Sequence, residues 1–313
     1  MFQPENKHLR SGYARVCQEW QLFFEPDIFK QLLISQHRIS DLDKFTARVP
    51  RRQKLVQEIH LCIKLPEYNS AVSQLKRSAK VQTRRCNAAF TKAIRSLLAV
   101  LSKWPEVPSL PPNARSWEKG IALSISTYSP SDRQHGFRQF DSQEGGYPIW
   151  FIEDALTNTV LKFPAQRAAR AAQEARETAA QPSHDDTSLV AAAREHITQT
   201  LTIHGGNFRE VPRIHSLSIC RQSYRGISTT TLKKFLLAFP NLRTLVHEPW
   251  LDVTTDLQHA FTTSYLSVLD TLALKSKHLT SLTLFQCPSH SYSHSRSYAT
   301  THSGCLRRRL QLG

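Results

Sequence analysis

Long apolar runs are missing from this chain. Nowhere in its 313 residues do about 18 consecutive apolar side chains occur, so no transmembrane helix and no membrane partner are expected. The opening residues, "MFQPENKHLR", lack the apolar core of a secretory signal. No Cys-x-x-Cys joins the six cysteines, at 17, 62, 86, 220, 287 and 305, which read as reduced thiols of a protein in the cytoplasm or nucleus. Nucleotide-binding and hydrolase signatures are absent too: there is no G-x-G-x-x-G, P-loop, G-x-S-x-G or H-E-x-x-H. "HGG" at His204 to Gly206 has the composition of an oxyanion loop, but no nucleophile elbow accompanies it. Cys17 and Cys62 read as core thiols rather than nucleophiles. Neither catalysis nor a cofactor is expected. Acidic residues are also in deficit, 25 against 41 Lys and Arg, and the resulting charge of +16 favours acidic partners.

What is present is periodicity. From Arg15 to Leu33, Val16, Trp20, Phe23, Phe24, Ile28, Leu32 and Leu33 recur at helical intervals, with Pro26 expected to break one helix and Asp27 to cap the next. "KQLLIS" leaves the helix as an extended piece, and Ser40 is a candidate N-cap for a second helix over "DLDKFTARVPRRQ". Val56, Ile59, Leu61 and Ile63 mark a strand that ends at Pro66. Asn69 to Trp104 reads as a long helix or helix pair, then a proline-rich connection leads to a strand with Ile121, Leu123 and Ile125 on one face. Residues 133–210 carry an Ala/Arg-rich low-complexity stretch, "AQRAARAAQEARETAAQ", expected to be a solvated helix or linker insertion.

Order resumes at Val211, with a strand from Ile214 to Ile219. A helix over "TTTLKKFLLAFP" follows, capped by its threonines and stopped by Pro240. A strand in "NLRTLVHEPW", a helix in "TSYLSVLDTLALKSK" and a strand in "HLTSLTLFQC" complete the pattern. The last two strands share Leu-x-x-Leu, at Leu242/Leu245 and Leu279/Leu282, 37 residues apart. One strand and one helix cannot bury an apolar face alone, whereas stacked units can. An irregular α/β repeat array is therefore expected. A conventional α/β layer is the alternative.

"YARVCQEWQLFFEPDIFKQLLIS" resembles the second half of an F-box, with Tyr13, Val16, Cys17, Trp20, Phe24, Phe29, Leu32 and Ile34 at the motif positions. The chain as a whole resembles fungal F-box proteins with an irregular leucine-rich-repeat-like domain. That resemblance implies an α/β fold in which a short helical F-box-like head precedes a solenoid of alternating strands and helices. The implied units are 1–50 for the head, 51–132 and 211–287 for repeat-like strands and helices, 133–210 for an insertion and 288–313 for a disordered Ser/His/Arg tail. Where the family has a Leu-Pro-x-Glu-Ile helix, this chain has "MFQPENKHLRSG", so the first F-box helix is expected to be missing and the chain to be a shortened or diverged member. The implied function is a non-enzymatic substrate receptor of a cullin-RING ubiquitin ligase. Tyr13, Val16, Cys17 and Trp20 would touch a Skp-type adaptor, and the repeats would hold an unknown protein client.

Three further readings stand beside that one. Trp20, Phe24 and Phe29 are expected mainly as core residues of the head, and Trp250 either binds a client at the repeat rim or packs over the repeat edge. Cys287, His290, His294, His302 and Cys305 have the residue types of a zinc site, but their spacing departs from the finger pattern and six serines intervene; no metal is assigned. The basic clusters "RVPRRQK", "KRSAKVQTRRC" and "RRR" could neutralise phosphates, which makes a nucleic-acid-associated protein with non-specific binding the competing function.

Overall fold

Alternation of apolar and polar residues builds the centre of this protein. The computed structural model describes residues 16–68, 76–105, 120–131, 200–219, 225–247, 265, 267–268, 270–271, 278–286 and 306–311. Within them one sheet of seven strands runs through the molecule: β1 (Gln31–Ser35), β2 (Glu58–Lys64), β3 (Ile121–Tyr128), β4 (Ile214–Ile219), β5 (Thr244–His247), β6 (Ser281–Gln286) and β7 (Leu306–Gln311). Strand order in space equals order in the chain, β1 to β6 are parallel, and β7 joins antiparallel to β6. The protein is thus mixed α/β with a six-strand parallel sheet and helices in the connections, as parallel pairing requires.

Helix α1 (Gln18–Lys30) precedes β1. Helices α2 (Ile39–Arg48) and α3 (Arg51–Leu55) connect β1 to β2, α4 (Lys76–Leu101) lies between β2 and β3, and α5 (Thr229–Ala238) between β4 and β5. Helical residues at 265, 267–268 and 270–271 occupy the β5–β6 connection. One apolar row crosses all six parallel strands in register: Leu32, Ile59, Leu123, Leu217, Leu245 and Leu282. Against it pack Phe90, Ile94, Leu97 and Leu101 of α4 and Leu232 and Phe235 of α5, all within one core cluster. The entry residues Leu242 and Leu279, three before that row, are buried as well, and so are Val56 and Ile214 at the same offset in β2 and β4. The Leu-x-x-Leu spacing therefore recurs in four strands, two more than the sequence pattern disclosed.

Several local expectations are corrected. Pro26 does not divide α1, which runs through it from Gln18 to Lys30; Glu25, the residue before it, is clamped by two arginines that hold both halves in line. Ser40 lies inside α2, one residue past its first, so it is not the cap. Ser228, rather than a threonine, caps α5, its hydroxyl accepting from the Thr231 N–H at 3.3 Å. Leu306–Gln311 of the expected disordered tail forms β7, since the edge of β6 offers a row of backbone partners.

Gly120 marks the tightest point. Its φ of +105° and the Ile121 N–H donated to the Arg213 carbonyl at 2.7 Å bring β3 against the start of β4, where the register shifts by one residue. A Cβ on Gly120 would sit 2.5 Å from that carbonyl oxygen, so only glycine fits.

Candidate docking site

α1 is a helix with its apolar stripe pointing away from the core. Gln21 donates its backbone N–H to the Cys17 carbonyl at 3.0 Å, and Glu19 near the N-terminus and Lys30 near the C-terminus complement the helix dipole. Trp20 and Phe23, three residues apart, fall on one stripe of the helix, and Val16 stands in the turn ahead of its extended N-cap Cys17. Val16, Trp20 and Phe23 are 65%, 45% and 76% exposed, and Leu22 beside them is exposed too. Phe24 joins Trp20 and Phe23 by edge-to-face ring contacts at 6.1 and 5.0 Å. Clustered exposed aromatic residues mark interaction surfaces more often than they arise at random on a monomer.

The opposite side of α1 explains that orientation. Glu25 is buried and accepts from Gln21 Nε2 at 2.8 Å and from Arg52 Nε and Nη2 at 2.9 and 2.6 Å, and it pairs with Arg51 as well. Burial alone would raise its pKa, but the hydrogen bonds from Arg52 and Gln21, with the charges of Arg52 and Arg51, hold it below the ordinary carboxylate value. Arg52 also stacks over the Phe29 ring at 5.3 Å. The helix is thus fastened to α3 by an ionic clasp, which leaves its aromatic side unburied.

This corrects one expectation. Trp20 is not a core residue and Phe24 is only half-buried, because a charged cluster fills the space beneath this part of α1, whereas Phe29, half-buried, packs against the core. Of the adaptor-contact candidates, Val16, Cys17 and Trp20 are all exposed, Trp20 on this stripe and Val16 and Cys17 just ahead of the helix, while Tyr13 lies outside the described residues. Phe23, the most exposed aromatic of the group, was not singled out because its position is not part of the motif. Glu25 was missed because its arginine partners stand 26 and 27 residues away.

The face of the sheet turned away from the helices mixes apolar and polar side chains. In register across it stand Leu33, His60, Ser124, Ser218, Val246 and Thr283. His60 Nε2 lies 2.9 Å from Ser126 Oγ, and burial pushes its pKa down to about 4, so the ring is neutral. Gln31 donates to Glu58 at 2.8 Å in the adjoining row. Trp250, the rim candidate, lies outside the described residues, as do Cys287, His290, His294, His302 and Cys305.

Other sequence candidates do not gather into a site. His204 to Gly206 present carbonyls, not N–H groups: Arg95 donates to His204 and Gly206 at 3.3 and 3.1 Å, and Lys234 donates to Gly205 at 2.6 Å. That arrangement suits a clamped turn and opposes oxyanion binding, which needs donors. Cys17 is exposed on α1 while Cys62 is buried in β2. Among the described residues no group of three or more His, Cys, Asp or Glu could hold a metal, and no helix is long and apolar enough to cross a membrane. Compared with family models, curated proteins and solved structures, the chain matches none of them.

Proposed function

We propose that this chain is a non-enzymatic substrate receptor of a cullin-RING ubiquitin ligase, with an F-box-like head that docks a Skp-type adaptor and an irregular leucine-rich-repeat-like solenoid that holds a protein client. The observation that carries it is the outward aromatic stripe of α1, which holds Trp20 of the F-box-like motif, with Val16 and Cys17 exposed just ahead of the helix. The repeat reading is supported by chain-ordered parallel strands sharing one apolar row. Offsets of 27 residues from Leu32 to Ile59 and 28 from Leu217 to Leu245 are also regular-repeat lengths. Function would follow from proximity: the head fixes the chain to the ligase and the sheet face away from the helices positions a client, while the chemistry occurs elsewhere.

The test is capture of this chain by purified Skp adaptor, alongside a version with a Leu-Pro-x-Glu-Ile helix fused ahead of Met1 and a Phe23→Ala version. Capture by the chain or its extended form, weakened about tenfold or more by Phe23→Ala, is the expected result for an aromatic anchor. Failure of both forms, each shown to be folded, removes the ligase reading.

A further inference from the structure

We propose that the outer face of α4 is a second binding surface, separate from the adaptor stripe, and that its ligand is the phosphate backbone of a nucleic acid. The sequence of Lys76–Leu101 contains seven Lys or Arg and no Asp or Glu. Its first turn holds no acidic residue, and Lys76 with Lys80 and Lys80 with Arg84 are like charges at i, i+4. Both features disfavour a helix by the dipole and pair rules, so stability alone does not account for this charge.

The fold then sorts these cations. The inward side of α4 is spent on the core through Phe90, Ile94, Leu97 and Leu101. Arg95 is occupied by the His204 and Gly206 carbonyls and by the Phe208 ring. Beyond the end of the helix, Lys103 pairs with Asp43 at 3.0 Å. Among the cations of α4 whose side chains are described, Lys80, Arg84, Arg85 and Lys92 remain: all four are exposed, and none makes an ion pair or hydrogen bond with a described residue. Ideal helix geometry spreads them over an arc of about 140° and a length of about 18 Å. That length matches about five phosphates of one strand along a duplex.

Acidic protein surfaces would also be attracted, but they are not what this face fits. A protein interface is built around desolvated apolar or aromatic anchors. Between these four cations the exposed side chains are Val81, Ala88 and small or polar groups, with no aromatic residue. Phosphate contacts need only charge and donors, and they fix position without reading sequence. Binding here is therefore sequence-independent and steep in salt. Four neutralised phosphates give a slope of about −3.6 in log K against log salt, or about 150-fold loss from about 50 to 200 mM.

The experiment is fluorescence anisotropy of a labelled random-sequence duplex with the full chain across that salt range. It includes a Lys80→Gln, Arg84→Gln, Arg85→Gln, Lys92→Gln variant. A control removes the same charge elsewhere on the exposed surface through Lys30→Gln, Lys44→Gln, Arg48→Gln and Lys54→Gln. Circular dichroism checks that each is folded. The expected result is a slope shallower by about 3.6 in the α4 variant and little changed in the control. Equal losses in both would show that only net charge matters and overturn the site. Polyglutamate bound as tightly as the duplex at the same salt would overturn the choice of ligand, and so would a parent that fails to bind the duplex at about 50 mM salt.

Discussion

Replacing Glu25 by Ala should release α1 from the body of the protein while leaving its aromatic stripe chemically intact. Glu25 is 2% exposed, and removing one member of a buried ion pair costs about 3–5 kcal/mol when the partner is left desolvated. The Arg51 side chain is 41% exposed and can return to water, so its share is that of a surface pair, about 0–1 kcal/mol. Arg52, at 14% exposure, bears most of the loss. A local cost of about 2 kcal/mol follows, equivalent to about 30-fold faster hydrogen exchange across Gln18–Lys30, with α4 unaffected. Because the folded-state pKa of Glu25 is lowered, its stabilisation is present above the ordinary value of 4.5 and disappears as pH falls through the folded value. The difference in α1 protection between the parent and Glu25→Gln should therefore narrow below about pH 4.5. Unchanged α1 exchange in Glu25→Ala at neutral pH would refute the clasp, and a difference constant down to pH 3 would refute the electrostatic account of it.

Three other outcomes follow from the packing. Gly120→Ala combines a left-handed φ with a Cβ 2.5 Å from the Arg213 carbonyl, so thermal melting should show a loss of about 3 kcal/mol, and a midpoint equal to the parent's would contradict it. Phe235 is fully buried and stacks on Phe208 and Phe239 at 5.7 and 5.8 Å, so Phe235→Ala should lose about 3–5 kcal/mol in urea unfolding. His247 is buried in the core, with Nδ1 2.6 Å from the Tyr265 hydroxyl, and burial pushes its pKa to about 4. The unfolded chain takes up that proton near pH 6.5 and the folded one does not, so stability falls as pH drops from about 6.5 toward about 4. His247→Leu should flatten this fall in unfolding experiments at pH 7 and 5; an undiminished slope would assign it elsewhere.

Strands were the most legible part of this molecule. Ile59, Leu61 and Ile63 alternate in β2 and Ile121, Leu123 and Ile125 in β3, and each set lies on the buried face because a strand turns every second side chain the same way. Helix ends were less legible. Pro26 argued for a break on local grounds, and the cap of α5 fell one residue before the threonines. The shared Leu-x-x-Leu spacing showed in β5 and β6, where leucines fill both positions. It was hidden in β2 and β4, where Val56, Ile59 and Ile214 stand at positions that are leucine in β5 and β6. Trp20 was read inward because large aromatic residues usually are, and nothing local in the sequence signals that a carboxylate and two arginines occupy the space beneath it.

By itself, then, the sequence determined the six parallel strands and their order, an excess of positive charge and the identity of the faces that must be buried. These depend on spacings of two to four residues, which the backbone converts directly into sides of a strand or helix. Tertiary structure alone decided which apolar stripe stayed outside, which cations were consumed by Glu25, Asp43 and the 203–206 turn, and which four on α4 were left over. It also placed His247 where the neighbouring strand has Leu284. Those outcomes turn on partners 26 to 111 residues apart, and burial or pairing at such distances is settled by which groups the packed chain brings together.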